Sequence, residues 1–187
     1  MKVVFLDRDG VINKEVNYLH KVKDFEYSYN CVQALSNILA AGYKIIIITN
    51  QAGIAKGIFK KSDYDELTEF YTQDLSSRGI DILDVYFCPH HIDGVVSKYK
   101  VDCPYRKPRP GMLVDAIKKH SIDVKKSFFV GDKISDIQAG REANISSLIL
   151  VESGHPLDSS ILQSLPVYKN LYDFSITLDP KIPICAK

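Results

Sequence analysis

Three stretches of this chain end an apolar run on residues that could do chemistry together. Val3–Leu6 runs into Asp7-Arg8-Asp9-Gly10, Ile45–Ile48 runs into Thr49-Asn50-Gln51-Ala52-Gly53, and Phe128–Val130 runs into Gly131-Asp132, with Asp136 close behind. Turn formation alone accounts for any one of these, because Asp, Asn and Gly are common in turns and an Asp can cap the next helix. It does not account for acids on two separate strands. Carboxylates gathered in one place repel unless a cation lies between them, and such hard oxygen donors suit magnesium. A carboxylate beside that ion can act as a nucleophile, and a neighbouring carboxyl can exchange protons.

These residues need elements to position them. Val3–Leu6, Leu83–Phe87, Phe128–Val130 and Leu148–Val151 read as strands. Ile45–Ile48 is a run of β-branched residues, the pattern of a strand buried on both faces. Between them, Val32, Leu35, Ile38 and Leu39 recur at helical spacing before Gly42. Ser62 with Asp65 reads as a capping box for a helix carrying Leu67, Tyr71 and Leu75 and ending at Gly79. Pro110 suits a helix first turn ahead of Leu113, Ala116 and Ile117, and 135–143 forms a further short helix. Strands alternating with helices predict a three-layer, Rossmann-like α/β/α fold with a mostly parallel central sheet. In such sheets ligands bind beyond the carboxyl ends of the strands, where the acids fall. After Gly154 the signals weaken, predicting short elements and a loose end over 180–187.

The bulk properties exclude other classes. The chain has 187 residues, 45% hydrophobic and 25% charged, with a net charge of +1. That fits a single domain over 1–187 without a basic nucleic-acid footprint. No apolar run is long enough to span a bilayer, and the opening residues lack a signal-peptide pattern, so a cytoplasmic location is expected. Cys31, Cys88, Cys103 and Cys185 are then expected as free thiols or metal ligands. No exposed apolar stripe stands out, which favours a monomer.

The strings carry a resemblance. Phe5-Leu6-Asp7-Arg8-Asp9-Gly10-Val11-Ile12-Asn13 resembles the first motif of the haloacid dehalogenase-like phosphatases, Thr49-Asn50-Gln51 the second, Lys107 the third, and Gly131-Asp132-Lys133 with Asp136 the fourth. The likeness spans about residues 1–154. Thr49 to Gly57, Cys88-Pro89-His90-His91 and Arg106 to Met112 are similar to the histidinol-phosphatase-like branch, and within it to phosphatases of heptose bisphosphates. The resemblance implies a magnesium-dependent phosphatase acting on a small sugar phosphate. Asp7 would be the nucleophile and Asp9 the acid and base. Thr49 would hydrogen-bond the transferring phosphate, with the Asn50 backbone nearby, and Lys107 would neutralise charge. Magnesium would be held by Asp7, the Asp9 carbonyl and Asp132, while Asp136 orients the loop or a metal-bound water.

Substrate contacts are expected from short loops, because the intervals between motifs leave no room for a large cap domain. Glu15 and Asn17 could bond sugar hydroxyls, Tyr18 could pack on a ring, and Gln51 could add a contact, although this stretch also reads as a polar surface loop. Arg106 is the expected ligand of a second phosphate, since Arg binds phosphate through paired donors; Arg109 is the weaker candidate. The prolines at 108 and 110 stiffen the loop around Lys107.

Cys88, His90 and Cys103 match a zinc-binding pattern in which Tyr105 stands where the family has its fourth ligand, a cysteine. Structural zinc is normally closed by four ligands, so the remaining options are a fourth from His91 or water, or a loop packed without metal around Tyr105. Competing readings are a histidinol-phosphate or other small sugar-phosphate phosphatase, and, from another class, a non-catalytic phosphate-binding α/β domain. The latter lacks the pairing of Asp7 with Asp9. A dehalogenase has no need of Asp9 as an acid, and a mutase needs a cap to exclude water.

Overall fold

The computed structural model describes residues 1–153 and 165–178. Its centre is a six-stranded sheet of order β3-β2-β1-β4-β5-β6, formed by β1 (Val3–Leu6), β2 (Lys44–Asn50), β3 (Asp84–Cys88), β4 (Phe128–Gly131), β5 (Ser147–Val151) and β6 (Val167–Tyr168). Every neighbouring pair is parallel. The helices are α1 (Cys31–Ala40), α2 (Ala52–Ala55), α3 (Lys61–Ser77), α4 (Gly111–His120), α5 (Ile134–Glu142) and α6 (Leu171–Ile176).

Strand side chains alternate between two faces, and each face has its own core. Val4, Leu6, Ile45, Ile47 and Val130 pack under Leu35 and Ile38 of α1, Leu67 and Tyr71 of α3 and Phe174 of α6. Val3, Phe5, Ile46, Ile48 and Phe129 pack under Met112, Leu113 and Ala116 of α4 and Ile137 of α5. The continuous apolar runs of β1 and β2 are therefore covered on both faces, as their sequences predict. The predicted strands and helices all form, within a residue or two at their ends. The expected short elements of the tail are β6 and α6, whereas the loose end predicted over 180–187 lies outside the described residues. Between β1 and α1, and between β2 and α3, the largest elements are a single turn of 3-10 helix and the four-residue α2, so no cap domain is inserted there.

One local expectation is corrected. The helix read as opening at Ser62 begins at Lys61, and its cap is not the Ser62–Asp65 pair. Asp63 accepts the backbone N–H of Lys60 at 2.7 Å, while Asp65 forms an ion pair with Lys61. The acid three residues after the N-cap is the one that can reach back to it, and that residue is Asp63.

The chain runs outward from β1 through β2 to β3, then returns to the other side of β1 as β4. Leu6 is in register with Ile47 on one side and Val130 on the other. The strand order reverses at β1, and the crevice beyond its carboxyl end is the place where open α/β sheets bind ligands.

Candidate active site

Asp7 is the first residue past β1. Its N–H donates to Val130 O at 3.0 Å, which prolongs the ladder and fixes the carboxylate at the reversal point. Asp132 follows β4, and Asp136 sits in the first turn of α5. All three are buried, and oxygens of the three carboxylates lie within 4.8 Å of one another. The loop after β1 can approach Asp132 only because it carries Gly10. With φ at +82°, a Cβ there would stand 2.3 Å from Asp132 Oδ2.

Lys107 enters the cluster from the loop between β3 and α4. Its ammonium lies 2.9 Å from Asp7 Oδ1 and 2.7 Å from Asp136 Oδ1, and it donates to Ile48 O at 2.8 Å. At 3% exposure it is not the solvated surface lysine that its residue type suggests. Asn50 holds the loop in place with two reciprocal bonds: its Nδ2 donates to Lys107 O at 3.0 Å, and Lys107 N donates to its Oδ1 at 3.1 Å. Beyond the backbone contact to phosphate expected of Asn50, its side chain joins β2 to the lysine loop. Asp136 uses its second oxygen to accept the Lys133 N–H at 3.0 Å, so both of its oxygens serve the framework.

Asp9 is gripped by its neighbours. Arg8 donates to it at 2.8 Å and 3.0 Å through Nη2, Asn13 Nδ2 at 3.1 Å, and Gln51 Nε2 at 3.0 Å. Gln51 also donates to the buried Thr49 hydroxyl at 2.9 Å. Arg8 lies 1% exposed beneath the loop. Arg8 and Asn13 were missed from the sequence, where a polar residue next to a turn aspartate has no distinguishing signal.

The electrostatics separate the two acids. Burial pushes Asp7 up to about 7; Lys107 opposes this, and Asp136, Asp132 and Asp9 add to it. Burial also pulls Asp9 upward, but Arg8 and the hydrogen bonds from Arg8, Asn13 and Gln51 outweigh it and hold Asp9 below the usual carboxylate range. Asp132 is raised, chiefly by burial, against Lys133. Burial favours a neutral Lys107, but Asp136 and Asp7 overcome this and keep it charged. The cluster thus holds more negative charge than Lys107 neutralises. An all-oxygen set of buried carboxylates with that excess fits a hard divalent cation.

The site opens into a cavity of about 350 Å³ lined by Asp9, Glu15, Asn17, Tyr18, Asn50, Gln51, Lys56, Arg106, Lys107 and Lys133 among others. Every predicted substrate-contact residue except the weaker candidate Arg109 is on this wall. Glu15, expected at sugar hydroxyls, holds Lys133 at 3.0 Å. Arg106 donates to His90 O at 3.3 Å. Arg109 pairs with Asp102 at 2.8 Å at the surface.

The second predicted metal cluster also converges. Ligand atoms of Cys88, His90 and Cys103 lie within 4.8 Å of one another, with Cys88 Sγ 3.7 Å from His90 Nδ1. Burial pushes the Cys88 thiol up to about 12. Tyr105 is 41% exposed, and Asp115 beside it pushes its phenol up. His91 accepts the N–H of Asp93 at 3.1 Å, away from the cluster.

A parallel sheet that delivers an Asp-x-Asp turn, a threonine, a buried lysine and a Gly-Asp turn to its reversal point defines a phosphatase of the haloacid dehalogenase class. The chain belongs to the polynucleotide kinase 3 phosphatase family, whose model matches residues 2–159. It is 53% identical over 175 residues to a D-glycero-alpha-D-manno-heptose-1,7-bisphosphate 7-phosphatase of Photorhabdus laumondii, covering 94% of this chain and 95% of that one. It is 42% identical over 161 residues to the corresponding beta enzyme of the same organism, covering 86% of each chain. A crystal structure of D,D-heptose 1,7-bisphosphate phosphatase from B. bronchiseptica, complexed with magnesium and phosphate, superposes with a TM-score of 0.80 at 26% identity, over 95% of this chain and 98% of that one.

Proposed function

We propose that this chain removes the C7 phosphate of D-glycero-D-manno-heptose 1,7-bisphosphate through an aspartyl-phosphate on Asp7, with magnesium as the cofactor. The observation that carries this is the convergence of Asp7, Asp132 and Asp136, with Lys107 paired to Asp7, beside a cavity that Asp9, Lys107 and further cations line. The names of the relatives supply the sugar, and the greater identity to the alpha enzyme favours the α anomer.

The residues divide the work. A carboxylate oxygen of Asp7 attacks phosphorus as the alkoxide departs, splitting hydrolysis into two easier steps. Lys107 keeps Asp7 oriented and offsets charge on the transferring phosphate. Thr49 is fixed by Gln51 to donate its hydroxyl to a phosphate oxygen. Asp9 donates a proton to the leaving alkoxide and then takes one from the attacking water. Its low pKa suits the second task; for the first, phosphate charge crowding against it favours uptake of a proton. Magnesium, held by Asp7, Asp132 and the Asp9 carbonyl, would neutralise phosphate charge so that an anionic nucleophile can approach. Arg106 takes the anomeric phosphate, leaving heptose 1-phosphate, a building block for heptose-containing surface polysaccharides such as lipopolysaccharide.

We also propose a zinc ion on Cys88, His90 and Cys103, supported by the convergence of their ligand atoms. It would shape the loop that presents Arg106 and Lys107, with no part in the chemistry. Metal analysis of the purified protein and of Cys103→Ser checks this.

The test of function is phosphate release with magnesium from both heptose 1,7-bisphosphate anomers and from histidinol phosphate. Higher kcat/KM on the α-bisphosphate is expected. A preference for histidinol phosphate would overturn the substrate and keep the mechanism.

A further inference from the structure

Four cations line the cavity among the described residues, and they are not equivalent. Lys107 is committed to Asp7 and Asp136, and Lys133 to Glu15 and Asp132. Arg106 and Lys56 form no ion pair with a carboxylate among the described residues. Arg106 donates to the His90 carbonyl. Lys56 donates from Nζ to the phenolic oxygen of Tyr18 at 3.0 Å, with the ammonium 5.6 Å from the centre of that ring.

Lys56 stands on a firm base. It caps α2, its N–H donating to Ala52 O at 3.0 Å. The carbonyl of the preceding Ala55 accepts the N–H groups of both Val95 and Val96 at 2.8 and 3.0 Å. Tyr18 is held in the left-handed backbone region, with φ at 57°. Lys56 and Arg106 line the same cavity. Two positive side chains with neutral partners, facing one cavity, are complementary to a dianion.

We infer that Lys56, positioned by Tyr18, is a specificity-determining residue that joins Arg106 in binding the non-reacting phosphate of the substrate. This rests on the bisphosphate reading above and adds a residue to it. The ammonium moves from the phenol oxygen to a phosphate oxygen, a stronger charge-assisted bond, while Lys107 stays with the reacting phosphate. Tyr18 keeps the ammonium extended toward the cavity before substrate arrives.

The experiment compares kcat/KM for heptose 1,7-bisphosphate with that for heptose 7-phosphate, which lacks the anomeric phosphate, in wild type, Lys56→Met and Lys56→Arg. Loss of one charge-assisted contact should lower the bisphosphate-to-monophosphate ratio about tenfold or more in Lys56→Met, mostly through KM. Lys56→Arg should restore most of the ratio. A ratio unchanged in Lys56→Met overturns the inference, as does an equal fall on both substrates. A wild-type ratio near one overturns the bisphosphate reading itself, so the two failures are distinct.

Discussion

Lys107 and Asp7 form a buried ion pair of 2.9 Å across the reversal point of the sheet, one from the loop after β3 and the other from the end of β1. Neither strand order nor helix packing requires a lysine there. Its ammonium also reaches Asp136 and Ile48 O, so it ties three segments together.

Lys107→Met should therefore cost both activity and stability. Phosphate release should fall by about 10²-fold or more, the scale of losing one preorganised electrostatic partner. Leaving buried carboxylates unpaired costs about 3–5 kcal/mol unless they take up protons. Steady-state assays and denaturant unfolding measure the two effects. Turnover within a few-fold of wild type would remove Lys107 from the proposed role.

Asp7→Asn should abolish turnover while leaving a folded protein. The folded-state pKa of about 7 lies above the ordinary aspartate value of 3.8. The folded protein therefore holds this proton more tightly than the unfolded chain, and the stability it confers is full below about pH 4 and lost as pH rises through about 7. In metal-free protein, Asp7→Asn should flatten the fall in melting temperature between pH 5 and 8. An equal fall in wild type and variant would contradict the burial argument.

Magnesium affinity should rise with pH over the same interval, because the ion competes with the proton on Asp7. Calorimetric titrations at pH 6 and pH 8 would show tighter binding at the higher value, with proton release at the lower. Chelator should stop turnover and added magnesium restore it. Restoration by zinc alone would refute the assignment.

Asn50→Ala should loosen the lysine loop without touching the nucleophile. It removes two partly buried hydrogen bonds, about 1–3 kcal/mol of stability. A lower kcat should accompany this, since Lys107 would no longer be held in register with Asp7. Full activity in a destabilised variant would show that Asn50 supports the fold alone.

Much of the fold was legible before any coordinates. Val3–Leu6 and Ile45–Ile48 are too apolar for any but doubly covered strands, and the residues that end them are too polar for packing. Hence Asp7, Asp9, Thr49 and Asp132 could be picked out as strand-end groups, and Lys107 through the family resemblance, which its flanking prolines support. Residue type and order sufficed there because strand direction forces such ends to one edge of a parallel sheet.

The partnerships were not legible. The Asn50 clamp, Glu15 on Lys133 and Lys56 on Tyr18 join segments through irregular loops, and Arg8 turns back onto its own neighbour Asp9. A loop has no period to show which way a side chain points. The cap at Asp63 rather than Asp65, and the turning of Tyr105 toward Asp115, fell to the same limit. The sequence by itself determined the layers and the set of reactive groups, because burial and alternation are local patterns. Which charge neutralises which was decided only by the tertiary structure, because ion pairing in a buried site depends on distances between residues far apart in the chain.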